Sequence, residues 1–225
     1  KPFAASSTAN MLGEGSTSLS AQEIAEKLDF YGSYFDVNID RDYTYISFCS
    51  LKKFFEPTLD VAREILLHPA FPEREFNIYC QKRKQSLTIE RQKVDMQSRE
   101  MFAEALFGSN HPYGISTPEE AYDDLTTDDL REHYDGLYTA ENSFVVCSGN
   151  IDDRVYNHIA DLASELRTGT SIDIKFPKPT TTHYIERNID SALQSSVRVG
   201  RLLFPRTHPD FVGMQVVAAV LGGYF

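Results

Sequence analysis

Apolar positions recur along most of this chain at helical spacing, and in two places at strand spacing. Pro2 to Leu12 is rich in alanine and small polar residues, with proline where a first helical turn tolerates it, and Gly13-Glu14-Gly15 reads as the stop. Ser20-Ala21-Gln22-Glu23 is a capping box. Ile24, Leu28 and Tyr31 follow at spacings of 4 and 3, and Gly32 ends that helix. Two β-rich runs come next, Ser33–Ile39 and Tyr43–Leu51, split by Asp40-Arg41-Asp42. Ile46 and Phe48 alternate with smaller or polar residues, so the pair reads as a hairpin with one covered face.

Beyond the hairpin the helical period returns. Leu59, Ala62, Ile65 and Leu66 mark a helix ending at His68-Pro69, Glu73 to Lys93 is a long helical stretch, and Arg99 to Phe107 continues to Gly108. Leu130, Tyr134 and Leu137 give one amphipathic helix, and Val155, Ile159, Leu162 and Leu166 another. Between them Ser143–Ser148 reads as a short apolar strand. Arg167 to Thr182 holds Gly169, two prolines and several threonines with no period, and reads as a linker. Strands around Tyr184–Glu186 and Val197–Phe204 and a helix from Pro209 to Leu221 close the chain. Helices and antiparallel pairs without a regular β-α-β-α rhythm predict an α+β fold, an antiparallel sheet with helices packed on one face.

Composition narrows the function classes. Of 225 residues, 41% are hydrophobic and 24% charged, which excludes a disordered or collagen-like chain. The formal net charge of −11 opposes a phosphate backbone or an anionic membrane surface, so nucleic acid is not an expected partner. Val216–Leu221, among the longest apolar runs, falls far short of the roughly 20 residues of a membrane span. Lys1-Pro2 leads into small and polar residues, which is not a signal-peptide pattern. Cys49, Cys80 and Cys147 are odd in number, far apart and without a CxxC pair. They suit a reducing compartment and a cytoplasmic reading.

Few motifs carry chemistry by themselves. Gly13-x-Gly15 lacks the third glycine of a dinucleotide fingerprint and reads as a helix-end turn. Cys49 and Cys147 sit in strand patterns, where cysteine behaves as a small hydrophobe. The Lys82-Arg83-Lys84 cluster, with Arg91 and Lys93, reads as a solvated helix face. Glu119-Glu120, Asp123-Asp124 and Asp128-Asp129 fall at or near first helical turns, where the dipole favours negative charge. No two of the six histidines are four residues apart, the usual way for a helix to offer a metal two imidazoles.

Taken in order, several segments resemble the insulinase/pitrilysin family of zinc metallopeptidases, the inverzincins. Met11-Leu12-Gly13-Glu14-Gly15-Ser16 is similar to the end of that family's zinc-motif helix, and Ser20 to Glu26 to its next helix. Gly32-Ser33-Tyr34 through Thr44-Tyr45 resembles the following strand pair. His68-Pro69-Ala70-Phe71-Pro72-Glu73 and His111-Pro112-Tyr113-Gly114 resemble inter-helix loops. Leu130-Arg131-Glu132-His133-Tyr134 followed by Tyr138-Thr139-Ala140-Glu141-Asn142 is the most telling pair, and Gly149-Asn150-Ile151-Asp152 fits after it. Leu221-Gly222-Gly223-Tyr224-Phe225 looks like the start of a glycine-rich segment in the family's second, homologous domain. The resemblance implies a first domain over 1–166 lacking its N-terminal strands, a linker over 167–182, and the truncated beginning of a second homologous domain over 183–225. The chain is then a fragment.

The chain departs from the family where the chemistry would lie. Family members carry His-x-x-Glu-His, whose two imidazoles at i and i+4 bind zinc while the Glu activates water. The matching positions here read Ser6-Ser7-Thr8-Ala9-Asn10, so Ser6 and Asn10 replace the histidines and Ala9 the general base. Glu90 falls near the third-ligand position as a remnant standing alone. The family's substrate strand, where a peptide adds as an extra strand, matches Asp36-Val37, with Asn38 following, and an acidic Asp36 would favour a basic peptide.

The resemblance therefore implies a non-catalytic subunit or domain with no zinc of its own. It would pair with a zinc-bearing homologous subunit, or a second copy, to enclose and bind peptide substrate. Two other readings stay open: a zinc endopeptidase with ligands outside the degenerate motif, and a purely structural assembly subunit.

Overall fold

The computed structural model describes residues 1–182, 184–190 and 192–222. Two compact units emerge: Lys1–Gln92 with Thr117–Lys175, and Lys93–Ser116 with the described part of 176–225.

The first unit contains α1 (Ala4–Met11), α2 (Ala21–Tyr31), the strands β1 (Tyr34–Ile39) and β2 (Thr44–Cys49), α3 (Phe55–Leu67) and α4 (Glu73–Arg91). The second unit takes α5 (Val94–Phe107). The first resumes with α6 (Thr127–Leu137) and α7 (Asp153–Ser164), and α8 (Phe211–Gly222) belongs to the second.

Local signals set these elements. Ser20 accepts from the Glu23 N–H while the Glu23 carboxylate takes the Ser20 N–H at 2.8 Å, the reciprocal box that starts α2. Gly32, at φ 58°, supplies the left-handed residue that ends it. Thr126 and Asp129 repeat the box at α6.

β1 and β2 pair antiparallel, with Phe35 opposite Phe48 and Val37 opposite Ile46. Burial alternates along both, so one face is half-covered and the other exposed. Phe35, Ile46 and Phe48 pack from the covered face onto a core built by α1, α2, α3, α6 and the start of α4. Met11, Leu12, Ile65, Phe71 and Leu130 are completely buried there. Each contributes roughly 1.5–3 kcal/mol of transfer free energy. Polar groups close the same core: the Tyr134 hydroxyl donates to the Leu66 carbonyl at 2.6 Å and Thr8 Oγ1 to the Leu130 carbonyl at 3.3 Å.

Two of the three acidic pairs meet the basic helix. Lys84 Nζ lies 2.5 Å from the Asp123 carboxylate, and Arg91 donates to Glu119 at 2.6 Å and to the Thr117 carbonyl at 2.6 Å. The cluster on α4 is thus partly paired rather than merely solvated.

In the second unit the segment after Phe176 satisfies the end of α5. Thr180 and Thr182 N–H groups donate to the Phe107 and Ala105 carbonyls at 3.0 and 2.7 Å. Phe107, His111, Tyr113 and Phe176 form an aromatic group around the buried His111. α8 is apolar on all sides and none of its residues is buried.

Three expected strands are not formed among the described residues. Ser143–Ser148 forms no strand, with Phe144 at 73% and Val146 at 80% exposure, and Tyr184–Glu186 and Val197–Phe204 are irregular. A strand exists only through a neighbour's ladder of hydrogen bonds, and among the described residues these runs have no such ladder. Cys49 and Cys147 are exposed rather than buried as small hydrophobes, and all three cysteines are free. The glycine-rich segment is described only to Gly222; Gly223, Tyr224 and Phe225 lie outside the described residues, as does His183.

Candidate functional site

α1 lays one face on the core through Ala4, Ser7, Thr8 and Met11. The motif positions divide across this helix. Ser6 is half-buried and Asn10 exposed, one turn apart on the same side, and Asn10 Nδ2 donates to the Ser6 carbonyl at 2.7 Å. Ser6 Oγ donates to the Phe3 carbonyl at 3.1 Å. Both side chains are therefore spent on the helix's own backbone. Ala9 is 0% exposed, so the position of the water-activating carboxylate is sealed by protein.

α4 touches α1 at Tyr79, whose hydroxyl donates to the Ser6 carbonyl at 3.5 Å and is pushed up to about 12 by burial. Glu90 lies eleven residues further along α4, about 16 Å of helix axis. There it accepts from Ser86 at 3.0 Å. Ser6 and Asn10 are brought together; Glu90 is not brought to them. A hydroxyl, an amide and an alanine do not fit a zinc ion, which takes imidazole, thiolate or carboxylate donors. Among the described residues no group of three or more His, Cys, Asp or Glu is placed to hold a metal.

The sheet edge is more open. The Asp40 N–H donates to the Tyr43 carbonyl at 3.0 Å and closes the hairpin. Counting the ladder alternation from there, Asn38 and Asp36 turn their backbone groups to β2, while Ile39, Val37 and Phe35 turn theirs to the opposite edge. No other described strand occupies that edge. The Asp36 and Asn38 side chains stand on the exposed face and that of Val37 on the covered one.

Where β1 begins, the end of α1, the length of α2 and the strand enclose a cleft of about 320 Å³. Asn10, Gly13 and Glu14 line one wall, Ile24, Leu28 and Asp29 another, and Phe35 a third. Gly13 lets the Phe35 ring approach here, because a Cβ would lie 2.7 Å from Phe35 Cε1 and push the ring aside. Burial, and after it the charge of Glu75, holds the Glu14 carboxyl above its ordinary range, with Lys82 pulling the other way. Neither the cleft nor Glu14 was visible as a site in sequence, since Glu14 reads only as part of a helix stop.

Family comparison meets this geometry directly. Residues 7–117 match the family model described as insulinase (peptidase family M16), and residues 124–225 match the one described as the peptidase M16 inactive domain. This chain belongs to peptidase family M16. Within the family, it is 27% identical over 151 residues to the "Uncharacterized zinc protease YmxG" of Bacillus subtilis (strain 168), covering 64% of this chain and 36% of that protein. Among solved structures, the peptidase M16 inactive domain from Pseudomonas fluorescens shares the fold with a TM-score of 0.74 at 21% identity, over 80% of this chain and 44% of that one. Pitrilysin does so at 0.64 and 18%, over 79% of this chain and 20% of its own, and a protease from Helicobacter pylori at 0.63 and 16%, over 79% and 43%. The chain thus spans less than half of each of these relatives. No described helix is long and apolar enough to cross a membrane.

Proposed function

We propose that this M16 chain is a non-catalytic half that pairs with a zinc-bearing homologous partner, or a second copy, and binds the peptide which that partner cleaves. The observation that carries the reading is the state of α1: Ser6 and Asn10 bond to backbone carbonyls and Ala9 is completely buried. Water activation needs a carboxylate near the metal, and alanine accepts no proton. What the half retains is a sheet edge with outward backbone groups and a cleft at its start, the furniture of strand addition. In the same reading residues 1–166 form one homologous domain, 167–182 the linker and 183–225 the beginning of the next. Three free cysteines support a reducing, cytoplasmic setting.

The test loads this chain with zinc, dialyses it, and follows a quenched peptide for both binding and cleavage. Bound peptide, no turnover and zinc below about 0.1 per chain are expected, against the three-ligand complement of a working site. Near-stoichiometric zinc with chelator-sensitive cleavage would overturn the proposal.

A further inference from the structure

The cleft at the start of β1 joins apolar walls to an unbalanced charge. Ile24, Leu28 and the Phe35 ring supply the walls, and Glu14 and Asp29 supply carboxylates. Glu14 is half-buried, and among the described residues no hydrogen bond or ion pair reaches it. The charged groups that act on it from the neighbouring helix α4 are Glu75 and Lys82, and Glu75 has the larger effect. A half-buried carboxylate sharing a cleft with a second one, Asp29, is a poor arrangement for the empty fold and a good one for a cationic guest.

We propose that this cleft is the subsite for a lysine or arginine side chain of a peptide strand added to the free edge of β1. The inference rests on the peptide-binding reading above. The outward backbone groups of Phe35 and Val37 set the register, and every second side chain of an added strand falls on the face where the Phe35 ring lines the cleft. The methylene stem of a basic residue lies against Ile24, Leu28 and Phe35, and its charged head reaches Glu14. A neutral side chain fills the walls but leaves Glu14 desolvated; an acidic one adds a third carboxylate.

Fluorescence anisotropy on the whole chain tests this with extended Ala/Thr peptides of about ten residues, a long strand. One carries a central lysine, and its counterparts carry norleucine or glutamate there. The lysine peptide is expected to bind about tenfold tighter than the norleucine peptide, the scale of one charge-assisted hydrogen bond, and the glutamate peptide weakest. Glu14→Gln should fold normally, since it removes a desolvated charge, and should level lysine and norleucine. Ile24→Phe, which fills the cleft, should weaken both. Equal binding of lysine and norleucine by the unmodified chain, or a lysine preference that survives Glu14→Gln, overturns the subsite and leaves peptide binding standing. Failure of every peptide to bind removes the peptide-binding reading and the subsite with it.

Discussion

Ala9→Glu restores, on paper, the general base of the family motif, and the fold opposes it. Ala9 is 0% exposed, so the introduced carboxyl enters a sealed position. A fully buried carboxyl is driven to a pKa of about 8–9, against about 4.3 in the unfolded chain. At pH 7 it is protonated when folded and ionised when unfolded, which costs about 4 kcal/mol of stability. Overpacking adds about 1–3 kcal/mol. The loss is then about 5–7 kcal/mol, comparable with the whole stability of an ordinary domain. Because the folded pKa is the raised one, the electrostatic part is absent below about pH 4 and grows as pH rises toward the folded value. Urea denaturation followed by circular dichroism at about pH 4 and pH 7 separates the parts; a variant that folds only at the acid end is itself a positive result. Ser6→His and Asn10→His, at half-buried and exposed positions, serve as controls and should each stay within about 1 kcal/mol. A loss below about 1 kcal/mol for Ala9→Glu, unchanged with pH, would refute the reasoning and show that position 9 can accommodate a catalytic carboxylate.

Other expectations are shorter to state. Glu14→Gln should raise stability at pH 7, because burial and Glu75 hold the folded carboxyl above its ordinary 4.5; the gain should disappear as pH falls through the raised folded value toward 4.5, which matched melting curves would show. Gly13→Ala should cost about 1–3 kcal/mol by urea denaturation, since its Cβ would stand 2.7 Å from Phe35 Cε1, whereas Gly136→Ala, with open space around it, should not. A thiol reagent should label exposed Cys49 and Cys147 promptly and half-buried Cys80 more slowly, because burial pushes the Cys80 thiol up to about 11.

The helices were legible because their signals are local. Ser20 and Glu23 specify the start of α2 and Gly32 its end within a dozen residues. The hairpin was legible from the alternation around Ile46 and Phe48. Ser143–Ser148 was misread because propensity describes what a segment favours, while pairing depends on a neighbour. The degenerate motif could be read as letters, Ser6 through Asn10, but its burial could not: that Ala9 is sealed depends on packing of distant segments. The cleft is hidden for the same reason. Gly13 and Phe35 are neighbours only after α2 has folded between them, and Glu14 gains its unusual environment from burial first and then from Glu75, sixty-one residues away.

The exposed run at 143–148 also governs how this chain behaves in a tube. Phe144, Val145 and Val146 are uncharged β-formers outside any helix or strand, at 73%, 56% and 80% exposure, with no proline or lysine among them to discourage pairing. Such a stretch is a template for another copy of itself, and a net charge of −11 spread over the whole molecule does little to guard six residues. This segment is therefore expected to shorten the shelf life of the purified chain, and a single lysine in place of Val145 should lengthen it.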